Sequence, residues 1–82
     1  MASHAAQVVE TIAKALVDAP DAVKVSENVH RGTTLVELTV APGETGKVIG
    51  RQGRIADALR TLVEATAHTE GAKAVLEIRD AE

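Results

Sequence analysis

The chain has 82 residues and a formal net charge of −3, with 9 Lys or Arg against 12 Asp or Glu. Phe, Tyr, Trp and Cys are all absent. This composition excludes disulfides, thiolate metal sites and thiol nucleophiles, and it disfavours the nucleic-acid modules that stack bases on aromatic rings. A domain this small buries only about 60% of the surface of its unfolded chain, so we expect a single domain over residues 1–82. Because aromatic residues are absent, its core should be aliphatic.

The sequence also lacks the marks of export and membrane insertion. Residues 1–7 have neither a cationic segment nor a continuous apolar segment, and no later apolar run has the length of a membrane span. Without cysteine, nothing requires an oxidising compartment. The sequence therefore predicts a soluble, cytoplasmic protein.

The first half of the chain predicts a helix followed by two strands. A helix over residues 3–18, with Ser3 as its N-cap, has apolar side chains on one side at Val8, Val9, Ile12, Leu16 and Val17. Valines at alternating or nearly alternating positions indicate a short strand over residues 23–29. Regular alternation over residues 33–40 predicts a second strand, and residues 30–32 are expected to form the turn between them.

The second half predicts two helices and a third strand. A short helix at residues 45–49 is followed by a loop at residues 50–53 with a glycine at each end. A longer helix then begins, with a predicted buried stripe of Ile55, Leu59, Leu62, Val63 and Thr66. On its exposed side Arg60 and Glu64 have the i, i+4 spacing of an ion pair. With a last strand at residues 74–79, the order predicts an α+β domain whose three-stranded sheet is covered on one face by helices.

Positive charge is concentrated in one segment of this acidic chain. Residues 44–60 contain four basic and two acidic side chains, a local charge of +2. A local cationic segment on an acidic body suits a protein that binds a polyanion at one site. The composition alone fits a solvated helix face equally well.

The loop at residues 50–53 has the chemistry of an anion site. Gly50 and Gly53 have no Cβ, so the backbone can approach a ligand closely. Free N–H groups at the start of the following helix favour an anion there. Arg51 and Gln52 add a cation and a hydrogen-bond donor at the tip, and together these features indicate a site for phosphate groups.

The ten residues Gly46-Lys47-Val48-Ile49-Gly50-Arg51-Gln52-Gly53-Arg54-Ile55 resemble the signature of the KH family, a hydrophobic pair, GxxG and an aliphatic residue. The chain looks most like the small bacterial stand-alone KH proteins of the KhpA type. The resemblance covers nearly the whole chain and is most specific from Pro42 to Leu62. It implies the αββααβ order of a type II KH domain, with core residues 23–80 and an N-terminal helix. It also implies binding of single-stranded RNA, about four nucleotides at a time, and a homodimer or a pair with a second, larger KH protein.

The resemblance also assigns site residues. The backbone clamp is Gly50, Arg51, Gln52 and Gly53, with Lys47 and Arg54 beside it. The aliphatic floor is Val48, Ile49 and Ile55, of which at least two are expected to belong mainly to the core. The family often has a lysine where this chain has Asp57, which predicts a thinner positive surface and modest affinity. Lys47 and Arg60 also fit as ordinary solvated charges.

Other functions fit the sequence poorly. The glycines at 46, 50 and 53 match neither a P-loop nor a dinucleotide fingerprint. His4, His30 and His68 have no metal-ligand spacing and no partnered nucleophile. We therefore expect no enzyme, no metal, no cofactor and no small-molecule substrate. The predicted role is a post-transcriptional regulator or RNA chaperone. The alternatives are a KH-fold module that docks a partner protein, and a binder of single-stranded DNA.

Overall fold

The computed structural model describes residues 4–81. Along these residues the elements are α1 (His4–Leu16), β1 (Lys24–His30), β2 (Thr33–Val40), α2 (Thr45–Ile49), α3 (Arg54–Thr69) and β3 (Lys73–Asp80). Short 3-10 turns lie at Pro20–Ala22 and Arg51–Gly53. The predicted order of helices and strands is confirmed, and the predicted N-cap Ser3 lies outside the described residues.

The three strands form one mixed sheet with β2 in the centre. β1 is antiparallel to β2, from Lys24 opposite Thr39 to His30 opposite Thr33. β3 is parallel to β2, beginning with Lys73 opposite Thr33. A parallel pair requires a crossover connection, and α2 and α3 provide it. The glycine loop between these two helices therefore lies within the crossover.

The turn between β1 and β2 is tight. Arg31 and Gly32 have φ values of 52° and 80°, which is typical of a two-residue type I′ hairpin turn. It falls within the predicted turn at residues 30–32. Val29 beside it is 74% exposed, so the end of this hairpin contributes little to the core.

Helices cover one face of the sheet. On β2 the side chains of Val36, Leu38 and Val40 are fully buried, and the residues between them face the other side of the sheet. Among the described residues, the buried core contains Ala5, Val9, Ala13, Val17, Val23, Val36, Leu38, Val40, Val48, Leu59, Val63 and Leu76. The core is aliphatic, as predicted, and α1 contributes to it directly. The three-stranded sheet with helices on one face confirms the α+β prediction.

Two predictions for α3 are wrong. Leu62 was expected in the buried stripe, but it is 43% exposed, whereas Ala56 and Ala67 are buried. The buried face of α3 is therefore rotated toward these small residues and away from Leu62. Arg60 pairs with Asp57, with Nη1 3.5 Å from Oδ1, so the predicted pair with Glu64 is not the one that forms.

The helices are modest in length. The longest of those described, α3, has 16 residues and exposes charged side chains on its outer side. Among residues 4–81 there is no helix with both the length and the apolarity to cross a membrane.

Candidate nucleic-acid interface

The glycine loop joins two helices with almost no intervening chain. α2 ends at Ile49, and the Gly50 N–H donates to the Gly46 carbonyl at 2.9 Å. A single 3-10 turn follows, closed by the Gly53 N–H on the Gly50 carbonyl at 3.1 Å. α3 begins at the next residue. The tip of the loop is consequently short and held by backbone hydrogen bonds.

Gly50 is required for packing and for its backbone conformation. Its φ of 78° and ψ of 175° lie in a region that is essentially restricted to glycine. A Cβ at this position would lie 2.6 Å from Cγ1 of Ile55, far inside normal contact. The absent side chain therefore lets the loop close onto Ile55.

Gly53 has a different setting. Its φ of 74° and ψ of 13° are left-handed, and it is the N-cap residue of α3. A Cβ here would meet nothing within 4 Å, so the backbone at this end of the loop is open. No side chain in the described part of the chain caps the start of α3. The N–H of its first residue, Arg54, donates to the Arg51 carbonyl, so the N–H groups left for a ligand are the next ones along the helix. Free N–H groups at a helix start favour anions, which is the property expected of this loop.

The tip carries accessible cations. Arg51 and Arg54 are exposed, and neither forms an ion pair with any of residues 4–81. Arg54 Nη2 donates to Gln52 Oε1 at 3.4 Å, while Gln52 itself has a left-handed backbone, with φ of 58°. Two guanidinium groups are thus available beside an uncapped helix start.

Lys47, which the family resemblance placed beside the clamp, is already paired. Its Nζ forms an ion pair with Asp18 Oδ2 and lies 3.6 Å from Glu44 Oε1. The hydrogen bond to Asp18 is the main reason why the pKa of Lys47 is raised above its usual value. The ammonium group therefore faces two carboxylates, and it differs in this respect from Arg51 and Arg54.

Glu44 is the functional-site neighbour that sequence analysis missed. It is 8% exposed, and its carboxylate accepts the Asp18 N–H at 2.6 Å and the Ala19 N–H at 3.2 Å. These bonds tie the chain after α1 to the start of α2. The partners are 26 and 25 residues away, so no local pattern in the sequence indicates them.

The predicted aliphatic floor is mostly internal. Val48 is fully buried in the core, and Ile55 is partly buried against that core and Gly50. Ile49 is 38% exposed. Val48 therefore supports the surface from below, and Ile49, with the partly buried Ile55, is the apolar surface that this segment exposes.

The histidines give no sign of a metal site. His4, His30 and His68 are all exposed, and His4 Nδ1 lies 3.4 Å from Glu70 Oε2. Residues 4–81 contain no group of three or more His, Asp or Glu side chains that is placed to hold a metal ion.

Two solved structures of Era share the fold of this chain. One is Era in complex with MgGDPNP and nucleotides 1506–1542 of 16S ribosomal RNA, with a TM-score of 0.64 and 18% identity. The match covers 93% of this chain and 29% of that one. The other is Aquifex aeolicus Era bound to GDP and aluminium fluoride, with a TM-score of 0.60 and 15% identity, covering 94% of this chain and 30% of that one. At these identities the likeness concerns the fold.

Sequence relatives are much closer. A protein named RNA-binding protein KhpA from Caldanaerobacter subterraneus subsp. tengcongensis is 56% identical over 72 residues, which is 88% of this chain and 96% of the relative. A protein of the same name from Clostridium acetobutylicum is 54% identical with the same coverage. The family model for the KH domain of KhpA/KhpB matches residues 6–78. The chain therefore belongs to the KhpA/KhpB KH-domain family.

Proposed function

We propose that this protein binds single-stranded RNA as a non-catalytic KH module, holding about four nucleotides with the glycine loop. Gly50, Arg51, Gln52 and Gly53 contact the sugar-phosphate backbone, and Arg54 adds positive charge. Ile49 and Ile55 form the exposed part of an aliphatic surface for the bases. Lys47 stands at the margin of this site because it is already paired.

One observation carries the proposal. The loop brings together an open backbone at Gly53, a start of α3 that no side chain caps, and two arginines that have no acidic partner among residues 4–81. Each of these features stabilises a phosphate group, and they occur together on a chain whose net charge is −3. The relatives named RNA-binding protein KhpA, two of which are 56% and 54% identical to this chain, support RNA as the ligand.

The wider role follows from the same proposal. Residues 1–82 act as one KH domain in the cytoplasm, as a post-transcriptional regulator or RNA chaperone. One site for about four nucleotides is a weak and unselective reader, and linking two such sites raises avidity by roughly 10²- to 10⁴-fold. The protein therefore works as a homodimer or with a second, larger KH protein.

The test is fluorescence anisotropy with a labelled single-stranded RNA library. We expect the double variant Arg51→Asp, Gln52→Asp to bind roughly tenfold more weakly or not at all, because its carboxylates repel phosphate. The matched control is His30→Asp, Arg31→Asp in the hairpin turn, at the other end of β2. Both variants remove one arginine and introduce two aspartates, and in each variant one of the aspartates takes a left-handed backbone position, which aspartate tolerates.

The outcomes separate the candidate functions. Loss of binding in the loop variant, but not in the hairpin control, supports RNA binding at the loop, with log affinity falling by about 0.7 per phosphate for each unit of log salt. An equal loss of RNA affinity in both variants would mean that the loss comes from the change in overall charge and not from the loop. Binding that never appears in wild type would favour a protein-docking module. Equal affinity for DNA of the same sequence would remove RNA preference from the proposal.

A further inference from the structure

A group of three charges lies beside the glycine loop and is net negative. Lys47 on α2 faces Asp18 and Glu44, the first in direct contact and the second at 3.6 Å. The remaining cations of the loop, Arg51 and Arg54, have no ion pair with any of residues 4–81. Of the three cations at this proposed polyanion site, Lys47 is therefore paired with carboxylates, and Arg51 and Arg54 are available to a ligand.

The fold places Asp18 in this position. Its backbone N–H donates to Glu44 Oε1 at 2.6 Å, and the next residue donates to Oε2 at 3.2 Å. Because Glu44 is buried at the start of α2, these bonds fix the chain after α1 next to that helix. The Asp18 carboxylate is then delivered to Lys47 from an element distant in sequence.

The carboxylates of Glu44 and Asp18 differ in how freely they can move away from Lys47. Glu44 has a side chain that is only 10% exposed, and its oxygens are occupied by backbone N–H groups. The side chain of Asp18 is 82% exposed, so it can leave Lys47 and enter water at little cost. Ion pairs as exposed as this one are weak, and a phosphate group can therefore displace Asp18.

We propose that Asp18 competes with RNA phosphate for Lys47 and thereby lowers the affinity of the glycine loop for RNA. This inference rests on the proposed function, since it concerns the same site. Arg51 and Arg54 bind phosphate without displacing an acid, and Lys47 becomes a further contact only when Asp18 moves away. The loop is consequently a weaker RNA binder than its count of cations indicates.

The experiment measures RNA affinity and its salt dependence for wild type and Asp18→Asn, using the same labelled single-stranded RNA. Asparagine keeps the shape of aspartate and removes its charge. Since the ion pair is exposed and weak, we expect roughly two- to fivefold tighter binding. The slope of log affinity against log salt should steepen by about 0.7, the value for one additional phosphate contact.

Two controls isolate Lys47. Asp21→Asn removes the same charge three residues away, from an exposed residue that forms no ion pair within residues 4–81, and it should change affinity less. In a Lys47→Gln background, Asp18→Asn should increase affinity no more than Asp21→Asn does. A full gain from Asp18→Asn in that background, or an equal gain from Asp21→Asn in wild type, would mean that Asp18 acts only through overall charge, which overturns the inference.

Failure of the inference differs from failure of the proposed function. If wild type binds RNA, Arg51→Asp with Gln52→Asp abolishes binding, and Asp18→Asn leaves affinity unchanged or lower, only the inference is wrong. If wild type does not bind RNA, both are wrong. Circular dichroism of each variant confirms that the fold is retained.

Discussion

Gly50 and Gly53 occupy the two ends of one loop but answer different physical requirements. Gly50 packs against Ile55 with a backbone conformation that is close to glycine-only. Gly53 is left-handed, and a Cβ there would meet nothing within 4 Å, so an alanine is opposed mainly by its own backbone preference. The two glycines of the GxxG pattern therefore differ: Gly50 should not tolerate a residue with a Cβ, whereas Gly53 should tolerate one at a smaller cost.

Alanine at these two positions should separate the requirements. We expect Gly50→Ala to lower the free energy of unfolding by about 2–4 kcal/mol, from backbone strain and overpacking against Ile55. Gly53→Ala should cost about 1–2 kcal/mol, and Gly53→Asn less, since asparagine accepts the left-handed region. Urea denaturation followed by circular dichroism measures all three. Similar losses for Gly50→Ala and Gly53→Ala would contradict the packing argument.

At the scale of elements, Glu44 connects α1 to α2. Its buried carboxylate accepts two backbone N–H groups from residues that follow α1, and a partly buried backbone N–H needs an acceptor. It also lies near Lys47, and so belongs to the base of the glycine loop. The position of α2, and of the loop that follows it, thus depends on a contact with the segment that follows the N-terminal helix.

Removal of this carboxylate should destabilise the fold. We expect Glu44→Ala to lower the free energy of unfolding by about 1–3 kcal/mol, because two backbone donors lose their acceptor in a partly buried place. Glu10→Ala is the matched control, since Glu10 forms an exposed i, i+4 pair with Lys14 at 3.1 Å, and it should cost about 0.5 kcal/mol or less. Urea denaturation compares them, and equal costs would show that burial of Glu44 contributes nothing.

The whole molecule combines a small cationic loop with an acidic body and a core built from aliphatic side chains. The net charge of −3 limits nonspecific coating of the surface by nucleic acid. It also opposes the approach of a polyanion such as RNA, which favours weak binding. Among residues 4–81, the large apolar side chains of Val29, Ile49, Leu62 and Val75 are substantially exposed.

Because a single chain is expected to bind RNA weakly, we expect the protein to form an oligomer. Two linked sites gain avidity without new contacts, so the protein should form a homodimer or purify with a larger KH protein. Light scattering after size-exclusion chromatography, over a range of concentrations, measures the mass in solution. A monomer at high concentration, together with the absence of a co-purifying partner, would contradict the prediction.

The sequence by itself determined the order of helices and strands, the aliphatic core and the place of the glycine loop. These depend on local signals, namely the periodicity of apolar residues and the positions of glycine. The buried alternation on β2 and the short helix before Gly50 were predicted correctly for this reason. The family was also identifiable from residues 46–55, which lie together in the chain.

Only the tertiary structure decided how distant segments meet. It placed β2 in the centre of the sheet, buried Glu44, left Leu62 exposed and paired Lys47 with Asp18 across 29 residues of sequence. Sequence periodicity identifies which side chains share a face of a helix. It does not predict how far the helix is rotated on its neighbours, because the packing of small residues such as Ala56 sets that rotation. The charge available to a ligand at the loop depends on these same long-range contacts, because an acid that is remote in sequence can neutralise a cation only after the chain has folded.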